Sequence, residues 1–200
     1  MTDLMTTISA ALTRRGFTVH HAATKEEAAR LVLSLIPEGA SVGAGGSMTI
    51  RELALAETLQ AAGHAVHWHW LEAGAAAFPA AHAADVYLAS ANAVTLDGQL
   101  VNIDGTGNRV AAMCYGPNTV YVIIGRNKIV EGGYQQAVRR IKQVACPANA
   151  RRLNLDTPCA KGECSAAQCK NPMCCAVVSL EHAVSAHRMV VLLVDEALGF

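Results

Sequence analysis

The chain has 200 residues, 52% hydrophobic but only 4% aromatic, so one domain with a core of Ala, Val, Leu and Ile is expected, with at most a small appendage. Sixteen basic residues cancel sixteen acidic ones, and without a basic excess or run neither nucleic acid nor an anionic membrane is an expected partner. No apolar run is long enough to span a bilayer and the segment MTDLMTTISAALTRRGF lacks the long apolar core of a secretory signal; the expected location is the cytoplasm, where seven cysteines point to metal or redox chemistry rather than structural disulfides.

Asp3–Arg15 has helical spacing, with Leu4, Ile8, Ala11 and Leu12 on one face. Gly16 ends it, and Phe17–His20 reads as a short strand. Thr24 followed by Glu27 makes a capping box for a helix that buries Ala28, Leu31, Val32 and Leu35 and stops before Pro37. Ala40–Ala44 is a short strand, and a glycine turn leads from it into a helix over Ile50–Ala62. This arrangement can cradle an anion. Gly45 and Gly46 let the backbone approach, Ser47 and Thr49 offer hydroxyls, and the helix N-terminus favours negative charge. The spacing is neither that of a P-loop nor that of a dinucleotide fingerprint, and Ser47 or Thr49 acting only as an N-cap is the plainer alternative. His64–Trp70 alternates as a strand, His67 and His69 on one face, Trp68 and Trp70 on the other. Two histidines without a third ligand favour solvated imidazoles over a metal site. Leu71–Ala84, broken by Gly74 and Pro79, reads as a short helix or loop.

The segment Asp85–Lys128 organises the rest. Val86–Ala91 is short and apolar enough for a buried strand, Asp97-Gly98 signals a tight hairpin, and Gln99–Ile103 can pair back. The loop DGTGNR then runs into a helix over Val110–Cys114, stopped by Gly116-Pro117. Thr119–Ile124 reads as a central strand, with Gly125-Arg126-Asn127-Lys128 at its carboxyl end, where ligands bind in open α/β sheets. An anion site is expected here. Arg109, at a helix N-terminus, opposes the macrodipole unless an anion sits between them, so it is read as a clamp for carboxylate or phosphate. Lys128 and Arg126 are expected to point the same way, one of them as a surface charge. Asp104 and Glu52 are the carboxylates nearest the two glycine loops and the candidate general bases; Asp104 capping the turn after it is the alternative. Asn102 and Thr106, with Gly105 and Gly107, could face substrate or only satisfy the loop backbone.

Gly132–Val144 reads as an amphipathic helix with Tyr134, Ala137, Val138, Ile141 and Val144 inward and Arg139, Arg140 and Lys142 solvated, while Pro147–Asp156 shows no period. Cys159, Cys164, Cys169, Cys174 and Cys175 then fall within seventeen residues as C-x4-C-x4-C-x4-C-C. A loop can wrap thiolates around one centre, and soft thiolates select zinc or iron–sulfur clusters. The uniform interval, with no paired knuckles or nearby histidine, favours a [4Fe–4S] cluster over structural zinc, although it matches none of the common ferredoxin runs; unligated or disulfide cysteines are the third alternative. Cys146 and Cys114 lie outside the cluster, and Cys114 reads as a buried hydrophobe. Ala176–Leu180 and Met189–Val194 are strands. Alternating strands and helices predict an α/β fold, a mixed, mostly parallel sheet with helices on both faces, built from residues 1–156, with a cysteine-rich metal-binding loop over 157–176 and strands of 177–200 completing the same domain.

VGAGGSMTIREL, NAVTLDGQLVNIDGTGNRVAAMCYGPNTVYVIIGRNKIV, CPANARRLN, TPCAKGEC and VVLLVDEALGF resemble the lactate-utilisation (LUD) domain family over nearly the whole chain, in its stand-alone branch with a C-terminal cysteine motif. The resemblance implies a fold like that of the sugar-phosphate isomerase and CoA-transferase superfamily, whose glycine-rich turns hold phosphates, carboxylates or thioesters. Gly43–Thr49 is similar to the first such turn and Gly105–Arg109 to a second. It further implies a link to oxidation of L-lactate alongside iron–sulfur partner proteins. In the family's cysteine motif one cysteine precedes a short strand, which Cys175 fits better than Cys174, so the implied ligands are Cys159, Cys164, Cys169 and Cys175. The second interval is longer here than in the family. Where related isomerases often carry a carboxylate, this chain has Asn92, which argues against carrying over isomerase chemistry directly.

Three functions compete. The first is an iron–sulfur accessory protein of organic-acid oxidation that binds a small anionic metabolite and meets redox partner proteins. The second is an isomerase- or CoA-transferase-like enzyme on a phosphorylated or carboxylated metabolite, for which turnover would depend on Asp104 or Glu52. The third is an anion-binding module with a structural zinc. A homo-oligomer is compatible with all three.

Overall fold

The structure, a computed structural model, describes residues 3–71 and 76–200. In chain order, its elements are α1 (Asp3–Arg14), β1 (Thr18–Ala22), α2 (Lys25–Leu35), β2 (Val42–Ala44), α3 (Met48–Glu52), α4 (Leu55–Ala61), β3 (Val66–Trp68), α5 (Ala77–Ala83), β4 (Val86–Ala89), β5 (Ala93–Thr95), β6 (Leu100–Asp104), α6 (Asn108–Cys114), β7 (Thr119–Gly125), β8 (Ile129–Val130), α7 (Tyr134–Arg140), α8 (Cys146–Arg152), α9 (Pro158–Lys161), β9 (Ala176–Leu180) and β10 (Arg188–Val194). Six strands in the order β1-β10-β7-β4-β2-β3 form a sheet in which every pairing is parallel. The central β7 and β10 are nearly continuous runs of Val, Ile and Leu, as strands covered on both faces require. Val86 and Leu88 of β4 pack with Val32, Ile50 and Leu59 from α2, α3 and α4. Tyr87 and Ala89 face the other way, onto Ile8 and Leu12 of α1 and Met113 of α6.

The α/β class and the covered parallel sheet agree with expectation, and the antiparallel pairing lies in a second sheet of order β8-β5-β6-β9. The Asp97-Gly98 hairpin joins β5 to β6, whose register pairs Ala93 with Val101. Ser90–Asn92, after β4, carries the chain from one sheet to the other. One face of the second sheet shares the core of α1 through Val94, Leu100 and Leu180. The other face, Ala93, Val101 and Ile103, is covered by Ala137, Ile141, Ala145 and Cys146.

Three elements differ from the sequence reading. The expected helix over Ile50–Ala62 is broken at Ala54, which takes φ +48 between α3 and α4. The strand over His64–Trp70 ends at Trp68 because Leu71 N–H closes a turn onto the Trp68 carbonyl (2.8 Å). His69 thereby stacks on Phe78 at 4.8 Å and Trp70 on Trp68 at 4.9 Å. The helix of 134–152 does not stop at 144. A wide π turn over Ile141–Ala145 leads straight into α8, which accepts Pro147 in its first turn. The π turn inserts one extra residue, so the period read over 132–144 falls out of step just where Pro147–Asp156 looked aperiodic. Of the Leu71–Ala84 reading, α5 accounts for Ala77–Ala83, and 72–75 lie outside the described residues.

Gly43 lies against α5 so closely that a Cβ there would run into the backbone of Ala81. Backbone cannot yield as a side-chain end can, so Gly43→Ala is expected to cost upward of about 3 kcal/mol. For a chain of this size that lowers Tm by about 6–12 °C. Gly133→Ala, with nothing within 4 Å of its Cβ position, is the control, and thermal melting of both variants is the check.

Among the described residues no helix is long and apolar enough to cross a membrane.

Candidate functional site

The carboxyl ends of β2, β4 and β7 and the end of β6 surround a cavity of about 260 Å³. Both glycine loops reach it, through Gly46, Ser47 and Thr49 on one side and Gly105, Thr106 and Arg109 on the other. Lys128 lies at its base. After β7 the residues Arg126–Lys128 make a single 3₁₀ turn, which separates i from i+2 instead of aligning them as a strand would. Arg126 therefore turns outward to Asp195 (3.5 Å), while Lys128 is buried at 3% exposure. The two do not point the same way, as strand alternation had suggested.

The Lys128 ammonium donates to Thr49 Oγ1 at 2.8 Å and Ser90 Oγ at 2.9 Å. It has three hydrogens, and among the described residues no acceptor takes the third. No carboxylate of the described residues touches it. Burial, then the neighbouring Arg140 and Arg109, lower its pKa to about 7, against a weaker opposing pull from Glu52. A buried cation between two other cations, open to a cavity, is an arrangement that a bound anion would relieve.

The other expected site residues lie as follows. Arg109 is buried, and its guanidinium donates to the carbonyls of Ser90 (3.2 Å) and Ile103 (3.0 Å) and to Asn92 Oδ1 (2.9 Å), with Asp104 Oδ2 3.5 Å from Nε. Most of its fork thus holds the two loops together, leaving little for a ligand. Asp104 accepts the backbone N–H of Gly105 (3.1 Å) and of Val110 (3.2 Å), so it caps α6. Gly107 takes φ +84 at the start of that helix. Glu52 is exposed outside the cavity and accepts Gly199 N–H (2.8 Å). Ser47 faces the cavity and also caps α3, accepting Ile50 N–H (3.4 Å). Gly45 lies behind the cavity, where a Cβ would come within 2.8 Å of the Tyr87 hydroxyl. Asn102 is fully buried off the cavity wall, its Oδ1 accepting Asn92 N–H (3.3 Å) and its Nδ2 with no partner among the described residues.

Several residues of the site were not singled out in the sequence. Ser90 was read as part of an apolar run, yet it is the one polar side chain in Val86–Ala91 apart from the Tyr87 hydroxyl, and that was the available signal. Arg140 is half-buried rather than fully solvated. It donates to the carbonyls of Asn92 (2.7 Å) and Asn127 (2.9 Å), tying down both loops beside Lys128. Leu198–Phe200 closes the back of the cavity. Thr49 Oγ1 donates to the Leu198 carbonyl (3.3 Å), Asn127 Nδ2 donates to the Gly199 carbonyl (3.0 Å), and Phe200 lines the wall. His69, Trp70 and Phe78 line the mouth with Arg152, whose guanidinium lies 4.9 Å over the Trp70 ring.

The cysteine loop adjoins this cavity, with Met173 and Cys146 in the lining. The four cysteines implied by the resemblance are spread out. Cys159 is buried with Thr157 Oγ1 at 3.3 Å, Cys164 and Cys175 are exposed, and Cys169 is half-buried. Instead Cys146 and Cys174 meet, Sγ to Sγ, at 3.3 Å. The Cys146 contact, and then the Lys142 ammonium, hold the Cys174 thiol down to about 6, while the same contact and burial push Cys146 up. Cys164 shares a groove with Lys142. The donor chemistry fits a soft-metal group, although among the described residues no three His, Cys, Asp or Glu side chains stand at the spacing of a bound ion.

No curated protein matches the sequence. A DUF162 family protein from Deinococcus radiodurans shares the fold, with a TM-score of 0.57 over 96% of each chain at 13% identity. The LUD domain matches residues 5–194. With a match over almost its whole length, the chain belongs to the LUD domain family.

Proposed function

We propose that this LUD-domain protein binds a small anionic metabolite at Lys128 and carries a thiolate-held centre, read as a [4Fe–4S] cluster, in the adjoining wall. It acts as an accessory protein in organic-acid oxidation of the lactate-utilisation kind, together with iron–sulfur redox partners. The observation that carries the binding half is Lys128 itself: a buried ammonium with two hydroxyl partners and, among the described residues, no carboxylate contact and no acceptor for its third hydrogen. Ser47 and Thr106 supply further polar groups around the same space. The cluster half is supported by the donor set, and the redox role by the family resemblance. When bound, the cluster would supply one-electron chemistry. The chain's own residues orient the anion at Lys128 and shelter it behind Phe200 and the aromatic mouth.

A second reading, an enzyme of the isomerase or CoA-transferase kind, is favoured by the near-neutral Lys128, since a group titrating near working pH exchanges protons most effectively. On that reading Lys128 moves the proton. Asp104 is occupied as a cap and Glu52 lies outside the cavity.

A melting screen with L-lactate, pyruvate, inorganic phosphate and a sugar phosphate tests the binding. Saturation at one hundred times Kd is expected to stabilise the protein by about 2.7 kcal/mol, or about 5–11 °C. If none of the four shifts Tm, the anion reading fails. Turnover of a sugar phosphate by the isolated chain would favour the enzyme.

A further inference from the structure

We infer that Cys146 and Cys174, the latter in place of Cys175, join Cys159 and Cys164 in the thiolate set. The inference rests on the thiolate-held centre proposed above and names its ligands.

The sulfurs of Cys146 and Cys174 are 3.3 Å apart. Two thiolates on one tetrahedral ion, with metal–sulfur bonds of about 2.3 Å, stand about 3.8 Å apart. The pair therefore needs to open by only about half an ångström to share one zinc ion, and farther to hold separate irons of a cluster. The strand register explains why Cys174 and not Cys175 faces inward. Cys175 N–H donates to the Asp104 carbonyl at 2.9 Å, and Ala176 pairs with Asp104, so the chain here is already locked to β6. Successive residues of such a segment point to opposite sides. Cys174 packs on the cluster formed by Ile103, Ala137 and Cys146. Cys175 is exposed, and its thiol donates to the Pro172 carbonyl at 3.4 Å.

Cys146 is held by a different element. It is buried in the first turn of α8, and α9, which carries Cys159, packs against that helix. Lys142, one turn earlier, reaches Cys174 and shares a groove with Cys164. Cys146, Cys164 and Cys174 thus lie near one lysine, and Cys159 neighbours Cys146 from the helix packed on α8, an arrangement no spacing within a loop would reveal. Cys146 also lines the anion cavity, so a centre held by it sits in the wall of that cavity.

The test is metal uptake by the full chain, purified without oxygen and reconstituted in parallel with ferrous iron plus sulfide and with zinc. Cys146→Ser and Cys174→Ser are expected to bind the metal more than about 100-fold more weakly than wild type, beyond the roughly 10–100-fold typical of changing a residue that only hydrogen-bonds a ligand. Cys175→Ser is expected to match wild type. A second measurement needs no variant: alkylation of wild type followed by mass spectrometry. Cys174 is expected to be protected in the loaded protein and labelled after chelation, with Cys175 labelled in both. Two results overturn the inference while leaving the centre standing: a loaded wild type whose Cys146→Ser form holds as much metal, or equal labelling of Cys174 before and after chelation. A wild type that takes up neither metal, including one that forms a Cys146–Cys174 disulfide instead, overturns the centre and the ligand set together.

Discussion

Lys128→Met is expected to be about as stable as the wild type near pH 7 and to lose the wild type's gain in stability above it. The folded lysine titrates at about 7, while in the unfolded chain it titrates near about 10.4. Between those values the unfolded chain binds a proton that the folded chain has released, so wild-type stability rises with pH. Below pH 7 both states are protonated and the full cost of burying the charge is present; it is relieved as pH climbs. Between pH 7 and 9 the gain is about 2 kcal/mol. Methionine has similar length and no charge, and the hydroxyls it leaves behind keep partners in the carbonyls of Leu198 and Ala91 (both 3.3 Å). Urea denaturation of both proteins at pH 7, 8 and 9 measures the difference. Parallel curves would mean that Lys128 stays charged in the folded protein.

Arg109 is expected to show the opposite pattern, a large loss of stability that lysine does not rescue. Its removal takes a charged donor from the buried carbonyls of Ser90 and Ile103 and from Asn92 Oδ1, and leaves the Asp104 carboxylate with backbone N–H donors but no cation beside it. Breaking such a buried charged pair costs about 3–5 kcal/mol, or about 6–20 °C in a chain of this length. Arg109→Lys should approach Arg109→Ala in Tm, because a point charge cannot span three acceptors set out for a planar fork. Should Arg109→Lys melt like wild type yet lose anion-dependent stabilisation, Arg109 would instead be the anion clamp expected from its place at a helix N-terminus.

These two residues show how far the sequence reaches. Composition, glycine turns and β-branched runs were enough to place β7, β10 and the hairpin, and to bring Gly46, Thr49, Thr106 and Lys128 to one neighbourhood, because each depends on local chemistry. Thr24 does accept Glu27 N–H (3.3 Å), as its capping box requires. Arg109 and Asp104 were found by the same local logic, but their partners are backbone groups of other loops, and what a donor fork does depends on which acceptors the tertiary fold presents. Arg140 was hidden for a related reason. Its carbonyl partners lie 48 and 13 residues away. Cys146 escaped because a cysteine outside a regular C-x4-C run looks unrelated until the helix carrying it folds over the loop.

Calorimetric titration of pyruvate and inorganic phosphate into wild type and Lys128→Met, at pH 6.5 and 8.5, tests the binding claim most directly. The account predicts one-to-one binding of at least one of the two anions to wild type at pH 6.5. Affinity should fall about tenfold or more at pH 8.5, as the competent, protonated fraction shrinks, and Lys128→Met should bind at neither pH. Equal binding by wild type and Lys128→Met, or no binding of either anion to wild type at pH 6.5, would contradict it.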